Sequence, residues 1–150
     1  MQGSETMSAY MPQAKSVEWD TPTILKQKLH EEFGQFDLDA ATRHDNPMKA
    51  RSILTKQDDA LSMNTNWFGN LVYLNPPYGR IISKWIIKAI DQYEKGNAKK
   101  IVMLLPSRTC TVWFHYLYER QDTEIRFIKG RLRYNNSNPA PFPSMLVILG

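Results

Sequence analysis

The stretch Leu71-Val72-Tyr73-Leu74 followed by Asn75-Pro76-Pro77-Tyr78-Gly79 constrains this chain more than any other. An apolar run of strand character ends abruptly in two adjacent prolines. Asn-Pro begins turns, proline suits the first position of a helix, and Gly79 permits tight geometry. A helical pattern then runs from Ile81 to about Tyr93, with Ile82, Trp85, Ile86, Ala89 and Ile90 on one face. A buried strand passing through a rigid turn into a helix belongs to an open α/β sheet. In such sheets, ligands sit at the carboxyl ends of the strands, where this turn falls.

The residue types in the turn suit the methylation of an exocyclic amino group. The side-chain oxygen of Asn75 can accept a hydrogen bond from a target NH2. So can the carbonyl of Pro76, because proline keeps its acceptor while losing its own N–H. Two acceptors drawing on one amino group leave the nitrogen lone pair free to attack a methyl donor. Pro76 and Pro77 fix their φ angles and hold the acceptors in place before substrate arrives. The ring of Tyr78 is expected to stack on a heteroaromatic base.

The rest of the chain alternates strands with helical segments. Thr21 is expected to cap a helix whose first position is Pro22, with Ile24, Leu25 and Leu29 as its apolar stripe and a stop near Phe33-Gly34. Phe36 and Leu38 lead a short strand that exits at Ala40-Ala41. Residues 42–66 read as irregular and polar, with a weak apolar pair at Ile53-Leu54. Ile101 to Leu105 is a continuous apolar run, as expected of a strand buried on both faces. Trp113–Tyr118 reads as a short helix, Glu124–Ile128 and Arg131–Tyr134 as strands, and Met145–Leu149 as the final strand. This order predicts a mainly parallel twisted sheet with crossover helices.

The 150 residues fit one domain with a real core. Residues 1–16 are polar and read as a disordered segment without a signal core, so residence in the cytoplasm is the default expectation. The single cysteine, Cys110, excludes an internal disulfide and any cysteine-based metal cluster, and reads as a small buried residue. No apolar stretch approaches membrane-spanning length. The net charge of +4 is unevenly spread, with −3 on residues 1–75 and +7 on residues 76–150. A basic second half suggests a polyanion partner.

Several ordered blocks together resemble the phage-type DNA N6-adenine methyltransferases, the Dam-like family. They are Trp19-Asp20-Thr21-Pro22, Phe36-Asp37-Leu38-Asp39-Ala40-Ala41, Asp58-Asp59-Ala60-Leu61, and Asn75-Pro76-Pro77-Tyr78-Gly79. Leu105-Pro106-Ser107-Arg108-Thr109, Trp113-Phe114-His115, Gly130-Arg131-Leu132 and Pro141-Phe142-Pro143-Ser144 complete the set. The resemblance implies a Rossmann-like methyltransferase domain over residues 17–150, with S-adenosylmethionine as donor and the N6 of adenine in double-stranded DNA as acceptor. Asn75, Pro76, Pro77 and Tyr78 match the catalytic motif. Thr21 and Pro22 match a block that lines the donor site in related enzymes. Asp39 or Asp37, which strand alternation puts on one face, is expected to receive the donor's ammonium. Asp58 or Asp59 is expected to meet its adenine or ribose. Arg80, Arg108 and Arg131 are candidate phosphate contacts. His115 is read as a packing residue. A Gly-rich turn after the first strand, common in methyltransferases, is replaced here by Asp39-Ala40-Ala41-Thr42.

The implied reaction is direct transfer from a sulfonium to an amine, with no covalent enzyme intermediate and no metal. Cytosine-C5 methylation would need an attacking thiolate after a proline, and Thr109 precedes Cys110. The target adenine must leave the duplex to reach Asn75. Two rival readings share these residues: an amino-group methyltransferase of RNA or protein glutamine, and a non-catalytic DNA-binding relic. No large recognition insert is present, so base readout falls to residues 42–66, residues 135–143 or the region after Tyr118.

Overall fold

The computed structural model describes residues 20–134 and 139–150. The expected disordered segment 1–16, Trp19 and part of the 135–143 loop therefore lie outside the described residues. Among the described residues, six strands form one sheet in the order β2-β1-β3-β4-β6-β5. They are β1 (Leu38–Asp39), β2 (Ser52–Ile53), β3 (Val72–Leu74), β4 (Ile101–Pro106), β5 (Thr123–Phe127) and β6 (Ser144–Leu149). The first four are parallel, and β6 runs antiparallel between β4 and β5. Helices α1 (Thr23–Phe33), α2 (Ile82–Glu94) and α3 (Val112–Tyr118) cover the sheet.

Strand β4 is central because every one of its six residues is buried, which the unbroken apolar run requires. Its side chains alternate between two cores. Ile101, Met103 and Leu105 pack with Val72, Leu74 and the buried faces of α2 and α3. Val102 and Leu104 pack on the other side with Tyr73, Leu146 and Leu29 of α1. Helices on both faces of a largely parallel sheet give the α/β methyltransferase-like fold expected from the order of the elements. Strand β1 goes to β2 on one side, whereas β3 goes to β4 on the other. The switch point of the topology thus lies between β1 and β3.

The elements with a continuous local signal form as expected, and the departures lie where pairing is long-range. Ser52–Ile53 pairs in parallel with β1 inside a stretch read as irregular. Arg131–Tyr134, read as a strand, forms none; Ala140 N–H instead donates to the Leu132 carbonyl at 2.8 Å. Cys110, expected to be buried, is exposed in the loop between β4 and α3. Thr21 does not cap α1. Pro22 takes the cap position in an extended conformation, with no side-chain cap bond, so the helix begins one residue later than its expected start at Pro22. None of the described helices is long and apolar enough to cross a membrane.

Candidate active site

The four parallel strands end on one edge of the sheet, and a cavity of about 540 Å3 opens there, around the switch point. That volume is in the range of small-molecule sites. Its floor is the backbone leaving β1: Asp39, Ala40 and Ala41. Ala40 N–H donates to the Tyr73 carbonyl and Thr42 N–H to the Leu54 carbonyl, both at 3.0 Å, so the parallel ladder carries on past β1 and shapes this floor. Small alanine side chains let a ligand approach the main chain, the role a glycine turn otherwise fills. An apolar wall comes from Leu54, Ala60, Leu61, Ile81 and Trp85. Asn75 and Pro77, just after β3, also line the cavity.

Of the two acidic candidates, Asp37 just before β1 and Asp39 within it, only Asp39 lines the cavity. Asp37 sits one pleat earlier, where its carboxylate accepts the Leu71 N–H at 2.9 Å and pairs with Arg51 at 3.4 Å. Asp39 is 2% exposed, and burial pushes its carboxyl from 3.8 up to about 7. The Ala41 N–H at 3.3 Å and the Thr42 hydroxyl only partly oppose that rise. A buried carboxyl with no cationic partner among the described residues fits a ligand ammonium, which would stabilise its charged form.

The second acidic pair also separates. Asp58 Oδ2 accepts the Thr55 N–H at 2.7 Å and the Thr55 hydroxyl at 3.1 Å, which hold its carboxyl below the usual range. Asp58 therefore closes the 3-10 turn Lys56–Asp58, whereas Asp59, with φ 50°, lines the cavity. The mouth carries opposite charges: Arg43 is clasped by Asp20 and by Asp45 at 3.1 Å. Those acids hold its guanidinium above the usual range.

The motif after β3 divides by direction. Asn75 reaches the cavity, and its Nδ2 donates to Thr21 Oγ1 at 3.4 Å. Pro76 is buried and Pro77 borders the cavity. Gly79 has φ 113°, a conformation side chains resist, and it turns the chain into α2. Tyr78 departs from the expectation of a ring offered for stacking. It is 8% exposed and packs edge-on to Phe142 and Tyr134. Its hydroxyl donates to the Leu104 carbonyl at 3.1 Å, so Tyr134 must donate to Tyr78 at 3.3 Å and accept from Ser144 at 2.8 Å. The reason for the burial is this satisfied hydroxyl chain, which ties the motif to β4 and β6.

Thr21 lines the cavity; Pro22 does not. Arg80, Arg108 and Arg131 are exposed and lie outside it, but each follows a strand (β3, β4 and β5) at the cavity's edge of the sheet. Arg131 also donates to the Ala140 carbonyl at 3.3 Å. His115, read as a packing residue, is exposed and lies edge-on to Phe114. Sequence reasoning missed four contributors. Trp85 and Ile81 share the cavity wall at an i,i+4 spacing that the helical pattern contained. Arg43 gave no signal. Tyr73 was legible, because strand alternation puts it on the face of Asn75, and its hydroxyl lies 2.6 Å from Thr21 Oγ1.

A mixed α/β sheet with a switch-point cavity, an Asn-Pro-Pro-Tyr turn on one side and a buried carboxyl on the other, defines a methyltransferase-like protein. The model of the family described as DNA N-6-adenine-methyltransferase (Dam) matches residues 8–144, and the chain belongs to that family. A curated relative, a DNA N-6-adenine-methyltransferase of Escherichia phage T1, is 36% identical over 98 residues. The match covers 64% of this chain and 38% of the relative, so the chain spans well under two thirds of that protein's length.

Proposed function

We propose that this chain transfers a methyl group from S-adenosylmethionine to the N6 amino group of adenine in double-stranded DNA, with the base turned out of the helix. One observation carries the reading: Asn75 of the Asn-Pro-Pro-Tyr turn and the buried Asp39 open on the same cavity. The chemistry of that cavity suits the donor. Asp39 accepts from an ammonium, Asp59 from an amino or ribose hydroxyl group, and the Leu54, Leu61 and Trp85 wall covers an apolar ring. Thr21 borders the same space. When bound, S-adenosylmethionine supplies a methyl group on a positively charged sulfur.

The residues of the chain then act on the acceptor. Asn75 Nδ2 is engaged by Thr21, so the acceptor role falls to Oδ1. Oδ1 and the Pro76 carbonyl would each take one N–H of the target amine and leave its lone pair free to attack. The proton left on N6 after attack passes to water or to a backbone acceptor. Tyr78 anchors the turn to β4 through the Leu104 carbonyl and keeps Asn75 in register. Turning the base out of the duplex costs a few kcal/mol, which contacts in the site offset.

Tritiated methyl transfer to unmethylated DNA, followed by nucleoside analysis, tests the proposal; label in N6-methyladenine is expected. Label in RNA or in protein glutamine would move the substrate to the first rival. Donor binding without any transfer would leave a DNA-binding relic.

The DNA side rests on the +7 balance of residues 76–150 and on the arginines along the cavity's edge. Each phosphate contact contributes roughly −0.9 to the slope of log affinity against log salt. Arg80→Ala, Arg108→Ala and Arg131→Ala are each expected to make the slope shallower by about one unit and to weaken binding to unrelated duplexes equally. Titrating a duplex at several salt concentrations measures this. Three wild-type slopes would place phosphate binding elsewhere, for example on Lys99-Lys100.

A further inference from the structure

Alternation along β3 points Tyr73 and Asn75 to the same face of the sheet. The segment leading into α1 crosses that face and brings Thr21 between them. Its hydroxyl oxygen lies 2.6 Å from the Tyr73 hydroxyl and 3.4 Å from Asn75 Nδ2. The amide nitrogen has only protons to give, so Asn75 is the donor to Thr21. At 3.4 Å the bond is long, within the looseness that such contacts show before substrate arrives.

The chemistry of the amide makes this contact consequential. The two ends of an asparagine side chain are alike in shape and opposite in hydrogen-bonding sense. A half-turn about the last bond would present NH2, a donor, to a target that is itself a donor. Something must hold the oxygen end toward the acceptor amine, and an acceptor placed at the nitrogen end does so. Thr21 is suited to it. Its β-branch restricts the side-chain rotamer, and its hydroxyl is not consumed by α1, whose start carries no side-chain cap bond. Tyr73 is 1% exposed and fixed against Phe36, with ring centroids 5.1 Å apart, so it holds the Thr21 hydroxyl from behind.

We propose that Thr21, backed by Tyr73, is a positioning residue that fixes the flip of the Asn75 amide with its oxygen toward the target amine. The inference rests on the functional reading above. It assigns Thr21 a role in the rate of methyl transfer rather than in holding the donor.

Single-turnover methyl transfer at saturating S-adenosylmethionine and DNA, with donor calorimetry on each variant, provides the test. Thr21→Val keeps the shape and removes the acceptor. It is expected to lower the single-turnover rate roughly tenfold, the factor that corresponds to one hydrogen bond. The donor dissociation constant should stay within about threefold of wild type, which also reports an intact fold. Thr21→Ser restores the hydroxyl and is expected to recover most of the rate. Tyr73→Phe removes the hydroxyl that backs Thr21 and is expected to lower the rate severalfold. The Thr21→Val/Tyr73→Phe double variant should be no slower than Thr21→Val alone, because both act through one contact. A Thr21→Val rate within twofold of wild type would overturn the inference, as would a loss confined to donor affinity. A wild-type chain that binds donor but transfers nothing to DNA would overturn the functional reading itself and this inference with it.

Discussion

Asn75→Ala is expected to reduce methyl transfer by roughly 10²–10³-fold or more, the range seen when one preorganised catalytic hydrogen-bonding group is removed. Alanine deletes the acceptor that aligns the target amine and leaves the Pro76 carbonyl to act alone. It leaves Asp39, Asp59 and the apolar wall in place, so donor affinity should change little. The structural cost is small as well. Asn75 is half-buried at the cavity's edge, and its bond to Thr21 contributes about 1 kcal/mol at most. Rate, donor affinity and unfolding midpoint should therefore separate cleanly, with only the first collapsing. Asn75→Asp, which keeps an acceptor, should retain more activity than the alanine variant. Turnover by Asn75→Ala within tenfold of wild type would remove Asn75 from the mechanism.

The contrast between legible and illegible features follows the range of the forces involved. Strand β4, helix α2 and the turn at Asn75 were legible because their patterns are local: a continuous apolar run from Ile101 to Leu105, a helical stripe, two prolines. The parallel sheet followed from the alternation of such pieces. Strand β2 is two residues long and exists only because Asp39 and Ile53 come into register, which no local pattern encodes. Asp37 and Asp39 are equivalent under alternation. They differ in height along the strand and in what awaits them there, Leu71 N–H and Arg51 for one, the cavity for the other.

Asp58 and Asp59 were separable in principle. Thr55-Lys56-Gln57-Asp58 has the spacing of a capping box, and such a box consumes its acidic member. Tyr78 was not separable. Its fate depends on Tyr134, 56 positions away, and on Phe142, neither of which leaves a mark near the motif. Cys110 shows the weakness of a tendency. Cysteine is often buried, but this one falls in the loop after Pro106, where the chain has already left the sheet.

Asp39→Asn is expected to move two quantities in opposite directions, weakening donor binding while stabilising the donor-free protein above neutral pH. Burial raises the carboxyl from 3.8 to about 7, so between those values the folded protein binds this proton more tightly than the unfolded chain. Its contribution to stability is fully present below about pH 4 and is lost as pH rises through about 7. That rise from 3.8 to about 7 corresponds to roughly 4 kcal/mol. Asparagine carries no such proton. The variant should match wild type near pH 4 and gain stability over it by pH 8, read as diverging unfolding midpoints. A donor ammonium reverses the balance, because it favours the ionised carboxyl that the empty site resists. Donor binding to wild type must then expel the proton, and affinity should rise roughly eightfold between pH 5.5 and about 6.5, where an α-ammonium stays protonated. Asp39→Asn should bind donor more weakly by about 1.5–3 kcal/mol and lose that pH dependence, since the charge-assisted bond is gone. Calorimetry of both proteins at three pH values measures the slope directly. A wild-type affinity that is flat with pH, or a slope that survives in the variant, would assign the ammonium to Asp59 or Asp20 and leave Asp39 a buried acid of structural origin.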